Sequence, residues 1–368
     1  MQLLNFSSVQ QTTQIQDRLQ SVLEDIVQNV KIKPNFCIQH PNYQPFELPD
    51  DVVSRFQSLP TEIHNKYMGL ILRSFLYGVY YNGSMKTTSE SEQDEHHLQL
   101  DLENNTFLGI DVEFYEKLHK SNQGEGYFDA DWQILKEEND GSLVVTKGGL
   151  KLHIEREKHL QTAHKTAVIG DLVEIKMPKN LVQNGFYMAV SNSGVQSYRA
   201  SENNFTTVRI YFNLTPEGTI TVMKNLTKQL NQKAIPFSFK VLYNPDEYKR
   251  YDSGVLYFNR EYCELVLAVL KNVYSQTKLE FKPETPLFTK QLAPGLGLAE
   301  EPDKKFSIQE SFGMNRCQII ANGLLKAWHQ SDNSPENRMN TILEQFNLLG
   351  IDVERPYLNA NSEDIYHF

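Results

Sequence analysis

Cysteine is scarce in this chain. Cys37, Cys263 and Cys317 are far apart, odd in number and without CxxC spacing. That pattern excludes a disulfide framework and a zinc knuckle. Cys263 and Cys317 fall in helical patterns and read as core fillers. Long apolar runs are missing too. None approaches the length of about 18 residues that a membrane span requires, so no membrane partner is expected. The N-terminus, MQLLNFSSVQQTTQ, lacks a basic segment followed by an apolar one, so no signal peptide is expected and the default location is cytoplasmic. Positive charge is short: 36 Lys and Arg stand against 46 Asp and Glu, a net charge of -10. Broad nucleic-acid binding needs a basic field, and none is expected here. Walker loops, GxSxG elbows, HExxH helices and EF-hand loops are absent. Gly295-x-Gly297 lacks the third glycine of a dinucleotide fingerprint. No metal and no cofactor is expected.

What remains is an ordinary globular composition, 40% apolar and 22% charged over 368 residues, ample for a sizeable core. Leu19, Val22, Leu23, Ile26 and Val27 mark an amphipathic helix over 15–30, ended by Pro34. A second helix over 59–81 has a broad apolar face that implies burial against other helices. Residues 84–105 are polar and Ser/Glu-rich and predict a mobile loop. His96-His97 inside it reads as solvated rather than as a metal site. From about residue 131 the chain turns to sheet. A hairpin over 143–154 puts Lys151 and His153 on one face of its second strand. The stretch 171–191 reads as a hairpin-like pair with Lys176 and Lys179 near its bend. Helices follow over 261–276 and 313–329, with another after Ser334-Pro335. Between the first two, 286–302 reads as a shaped, turn-rich loop, and the tail from Arg355 as extended and polar. The pattern predicts an α+β fold: a mixed, largely antiparallel sheet with helices on one face, preceded by an N-terminal helical region. The division expected is 1–125 and 126–368.

The most informative stretch is Thr206 to Phe258. Val208, Ile210, Phe212 and Leu214 alternate with Arg209, Tyr211 and Asn213, a period of two that predicts a strand. Thr215-Pro216-Glu217 starts a helix, and Ile220, Met223, Leu226 and Leu230 give it one apolar stripe. Phe237, Phe239 and Val241 alternate with Ser238 and Lys240 in a second strand. Gly254 to Phe258 forms a third. If the first two strands share a sheet, the helix between them is a crossover packed on one face. Arg209, Tyr211, Asn213, Ser238 and Lys240 then share the other face, as a solvated surface or an anion-binding cleft. Glu300-Glu301 reads as a pair of surface acids.

The segments KMPKNLVQNGFY, VRIYFNLTPEG, PFSFKV, YDSGVLYF, PLFTKQLAPGLGLAEEP and SFGMNRC resemble the HopA family of bacterial type III effector proteins, over roughly residues 130–330. Similar relatives occur in cyanobacteria and in gene clusters for modified peptides. In class V lanthipeptide and thioamitide pathways, HopA-like proteins work beside a phosphotransferase and are held to eliminate phosphate from phosphorylated Ser or Thr. The spacing is also similar to that of phosphothreonine lyases and lanthipeptide lyase domains, where a Lys-x-His strand precedes a helix and a strand with a catalytic Lys. The resemblance implies Lys240 as base and places Arg209 and Tyr211 at the Lys and His positions. Tyr replaces His, so the general acid stays open between Tyr211 and His153. Arg209, Lys176, Lys179, Arg250 and Arg316 form the pool for phosphate binding. The partners implied are a phosphorylated peptide or protein and a phosphotransferase. The alternative is a non-enzymatic peptide- or protein-binding module.

Overall fold

The computed structural model describes residues 18–57, 60–86, 106–107, 110–194 and 206–368. His96-His97 and most of the stretch 84–105 lie outside them. The N-terminal part holds α1 (18–29), a three-stranded sheet β1 (Lys31–Lys33), β2 (Cys37–His40) and β3 (Tyr43–Phe46), α2 (Asp50–Gln57) and α3 (Thr61–Leu76). A π-helical turn, Tyr77–Tyr81, extends α3. Strands β4 (Thr106–Phe107) and β5 (Ile110–Asp111) lead into α4 (Val112–Ser121), which Asp111 caps by accepting from the Phe114 amide.

A four-stranded sheet follows, made of β6 (Tyr127–Glu137), β7 (Leu143–Lys147), β8 (Leu150–Ile154) and, after the short α5 (Arg156–His159), β9 (Leu172–Met177). Its order is β8-β7-β6-β9. It closes over a small core of its own, with Trp132, Ile134, Leu143, Val145, Val173 and Ile175 buried. The expected pair over 171–191 forms differently. Pro178 has no N–H to give to a ladder, and the chain passes there to another sheet. Asn180–Gln183 (β10) then pairs with Phe186–Val190 (β11).

The larger sheet has seven strands: β10, β11, β12 (Thr207–Phe212), β13 (Ser238–Leu242), β14 (Gly254–Asn259), β15 (Lys290–Ala293) and β16 (Leu296–Glu300). Its order is β10-β11-β13-β14-β12-β16-β15, and each adjacent pair is antiparallel. The turn-rich stretch 286–302 is therefore a hairpin of this sheet, with Gly295 in its turn at φ 74°. Between β12 and β13 runs α6 (Pro216–Gln232), capped by Thr215, whose hydroxyl accepts from the Gly218 amide. Both strands are antiparallel to β14, which lies between them, so they run parallel and α6 is the crossover that the alternation predicts.

Phe212 packs on Phe239 and Phe281, and Phe281 on Tyr274 of α7 (Cys263–Thr277), so helices cover this face. The opposite face is covered in part as well. Tyr81 and Phe312, the first residue of α8 (Phe312–His329), pack on Tyr211. All six residues of β12 are consequently buried. Helix α9 (Pro335–Leu349) packs on α8 at Gly323, where a Cβ would lie 2.6 Å from the Ile342 Cα. One continuous core runs from Leu19 in α1 to Tyr366 near the C-terminus.

Candidate functional site

Strand register assembles the polar face. Arg209 pairs with Tyr257, Tyr257 with Ser238, and Lys240 with Met188. These residues line a cleft of about 400 Å³. Its far wall is the segment after β16, with Glu301, Lys305, Ile308, Glu310 and the α8 cap Ser311. The sheet face is thus neither a flat solvated surface nor fully covered: Tyr211 is packed over, and Arg209 and Lys240 open to the cleft.

Lys240 is half-buried. Its Nζ lies 4.5 Å from the Phe186 ring centroid and 5.5 Å from that of Tyr257. Among the described residues it has no hydrogen bond and no ion pair. Arg209 sits on the other side of the same aromatic, its Cζ 5.0 Å from the Tyr257 centroid. Its Nε and Nη2 engage Glu301, and Glu301 also holds Lys305. Burial would lower the Arg209 pKa, but Tyr257, Tyr211 and Glu301 together reverse that and keep the guanidinium charged. Glu310 is buried. Its Oε2 accepts from the Phe306 amide and the Asn315 side chain, both at 2.9 Å, while Oε1 has no partner.

Of the expected site residues, the cleft brings together only Lys240 and Arg209. Tyr211 lies on the same strand face but is sealed under Tyr81 and Phe312 and does not line the cleft. Its hydroxyl is buried without a hydrogen bond of normal geometry, and burial pushes the phenol well above its usual range. His153 stands on β8 in the other sheet, exposed and 3.5 Å from Glu138. Lys176 is exposed on β9 of that sheet.

Three cations of the expected phosphate pool are committed elsewhere. Lys179 donates to the carbonyls of His119 and Asn122 at 2.9 and 3.0 Å. Arg250 forms a two-pronged pair with Asp252. Arg316 is fully buried. It donates to the Pro356 and Leu358 carbonyls and to Asn315, at 2.7, 3.0 and 2.6 Å, tying down the C-terminal tail rather than facing a loop. Burial lowers its pKa to about 10, against the pull of Asp303, Tyr211 and Glu300, so it stays charged at neutral pH.

The acidic pair Glu300-Glu301 is not a surface feature. Glu300 is fully buried and accepts from Tyr366, Ser362 and the Asn359 amide. The cleft residues that sequence reasoning missed are Tyr257, Glu301, Lys305 and Glu310. Tyr257 was readable as a strand residue, but its alternation alone did not say which strand it would face. Among the described residues no helix is long and apolar enough to cross a membrane, and no three His, Cys, Asp or Glu side chains converge as a metal site.

No curated protein matches the chain. Similar solved structures include the effector proteins from Pseudomonas syringae pv. tomato strain DC3000 and from Pseudomonas syringae pv. syringae strain 61. Each is 18% identical and covers 68% of this chain and 81% of its own, with TM-scores of 0.39 and 0.40. Residues 177–358, which span β10 to β16, α8, α9 and the cleft, match the HopA1 effector protein family, and through this region the chain belongs to that family.

Proposed function

We propose that the cleft binds a phosphorylated Ser or Thr of a peptide or protein and eliminates phosphate, leaving a dehydroamino acid. A separate kinase would supply the substrate, in the cytoplasm. The observation that carries this reading is Lys240: an amine without ionic or hydrogen-bond partner among the described residues, held by two aromatic rings in a cleft beside Arg209 and Lys305. In the reaction the Lys240 amine takes the Cα proton. The electron pair left on Cα forms the Cα=Cβ bond, the Cβ–O bond breaks, and phosphate departs with that bond's electrons. Arg209 and Lys305 receive the phosphate. Glu301 occupies the Nε and Nη2 edge of the guanidinium, which leaves Nη1 as the prong for a phosphate oxygen.

Lys240→Met keeps the aliphatic stem on the rings and removes the base. Mass spectrometry of phosphothreonine peptides, alone and with the cognate kinase and precursor, reads the loss of phosphoric acid. Elimination should fall by about 10²–10⁴-fold, with the circular dichroism spectrum unchanged. A folded Lys240→Met protein that eliminates at the wild-type rate removes the lysine from the reaction.

One observation favours a second reading, a peptide-binding module without chemistry. Ile308 on the cleft wall is 94% exposed, and Phe306 beside it is exposed too. Apolar side chains held out at a cleft fit contact with a peptide's flanking residues. Binding of the peptide with no loss of phosphate, kinase present, selects this second reading.

A further inference from the structure

The elimination reading leaves the departing phosphate without either of its expected proton donors, because Tyr211 is sealed and His153 stands on the other sheet. We propose that Tyr257 is that donor, an assignment that rests on the lyase reading. Its place between the two cations carries the argument. The Tyr257 ring has the Lys240 amine 5.5 Å from its centroid and the Arg209 guanidinium carbon 5.0 Å from it. In the substrate, the Cα–H goes to Lys240 and the phosphate goes to Arg209. The bond that breaks joins these two points through Cβ and the bridging oxygen. A side chain lying between base and clamp therefore lies beside that oxygen.

The state of the hydroxyl agrees. Tyr257 lines the cleft and is half-buried. Among the described residues its hydroxyl has no hydrogen bond, and it is not among the polar atoms sealed from solvent. A phenol kept free on the wall of a cleft is available to a ligand. The ring is held by β14 between two neighbouring strands, on a rigid element. In the step, the Tyr257 O–H bond breaks as its proton passes to the bridging oxygen. The Cβ–O electron pair stays with the phosphate. The proton that Lys240 has gained then restores the phenol, directly or through water, so the protein ends the cycle unchanged.

Tyr257→Phe tests this, because it keeps the ring between the two cations and removes only the hydroxyl. The assay uses synthetic phosphoserine and phosphothreonine peptides with randomised flanking positions, in D2O, with the kinase and precursor as a parallel arm. Phosphate release and deuterium at Cα of recovered substrate are both measured. Release should fall by about 10²–10⁴-fold while deuterium enters the substrate, because Lys240 still opens the Cα–H bond and the carbanion returns. In Lys240→Met both signals should vanish. Wild-type release by Tyr257→Phe overturns the assignment and leaves the lyase reading standing. Slowed release without deuterium places the loss in binding or proton abstraction and also overturns it. Wild-type protein that releases no phosphate in either arm overturns the lyase reading and this assignment together. If Tyr257→Phe fails to fold, 3,5-difluorotyrosine at position 257 serves instead. The more acidic phenol should move the alkaline limb of the rate profile to lower pH, and an unmoved limb overturns the donor role.

Discussion

At the scale of single residues, charge type did not decide role; burial and partners did. Lys240, Arg209, Lys179, Arg250 and Arg316 look alike in the sequence. Only the first two meet the cleft, because the others already give their donors to carbonyls or to Asp252. Arg316 is the clearest case of a structural cation. Its three hydrogen bonds lie in a fully buried site, and removing it leaves two tail carbonyls unpaired. Arg316→Met should cost roughly 3 kcal/mol of stability in urea unfolding while leaving the Lys240 chemistry in place. Arg209→Lys should act the other way. A point charge replaces a fork, so phosphate-peptide affinity should fall more than stability, read by calorimetry against thermal melting.

At the scale of elements, the tail and the α8–α9 pair hold the cleft wall. Asp364 receives Lys290 and the Tyr357 hydroxyl, each at 2.7 Å, and so fastens the tail to β15. Burial pushes its carboxyl up, but the hydrogen bonds from Lys290 and Tyr357 outweigh that and leave it below the usual range. A carboxylate with a depressed folded-state pKa contributes stability above its unfolded value, about 3.9. That contribution is lost as pH falls through the lower folded-state value. Asp364→Asn should therefore be less stable than wild type at neutral pH, by about 1–2 kcal/mol. The gap should close in acid below about pH 4, measured by urea melts across pH. At the helix crossing, Gly323→Ala would press a methyl onto the α9 backbone. It should destabilise by about 1–3 kcal/mol.

At the scale of the whole molecule the described residues form two cores of very different size. The main one reaches from α1 to the tail, and the four-stranded sheet over 127–177 closes on a small separate one. Fewer buried contacts mean a lower local opening free energy. Amide exchange followed by mass spectrometry should show β6 to β9 exchanging well before β12 to β14. Equal protection in the two sheets would mean that they open as one unit.

The sequence alone determined the local units. Alternation in 207–212 and 238–242, the Thr215-Pro216 cap and the apolar stripe of α6 are set by neighbours a few positions apart, and they formed as their spacing predicts. The pairing of Arg209 and Lys240 on one face was legible for the same reason. What surrounds that face was decided only by the tertiary structure. Glu301 reaches Arg209 from 92 positions away, and it does so because β16 pairs with β12, a contact no local period encodes. The insertion of β14 between β12 and β13 likewise put Tyr257 between the two cations. The same folding brought α8 and the π turn over Tyr211 and closed it off. Side-chain periodicity tells which residues share a face; long-range strand register and helix docking decide which part of that face stays open.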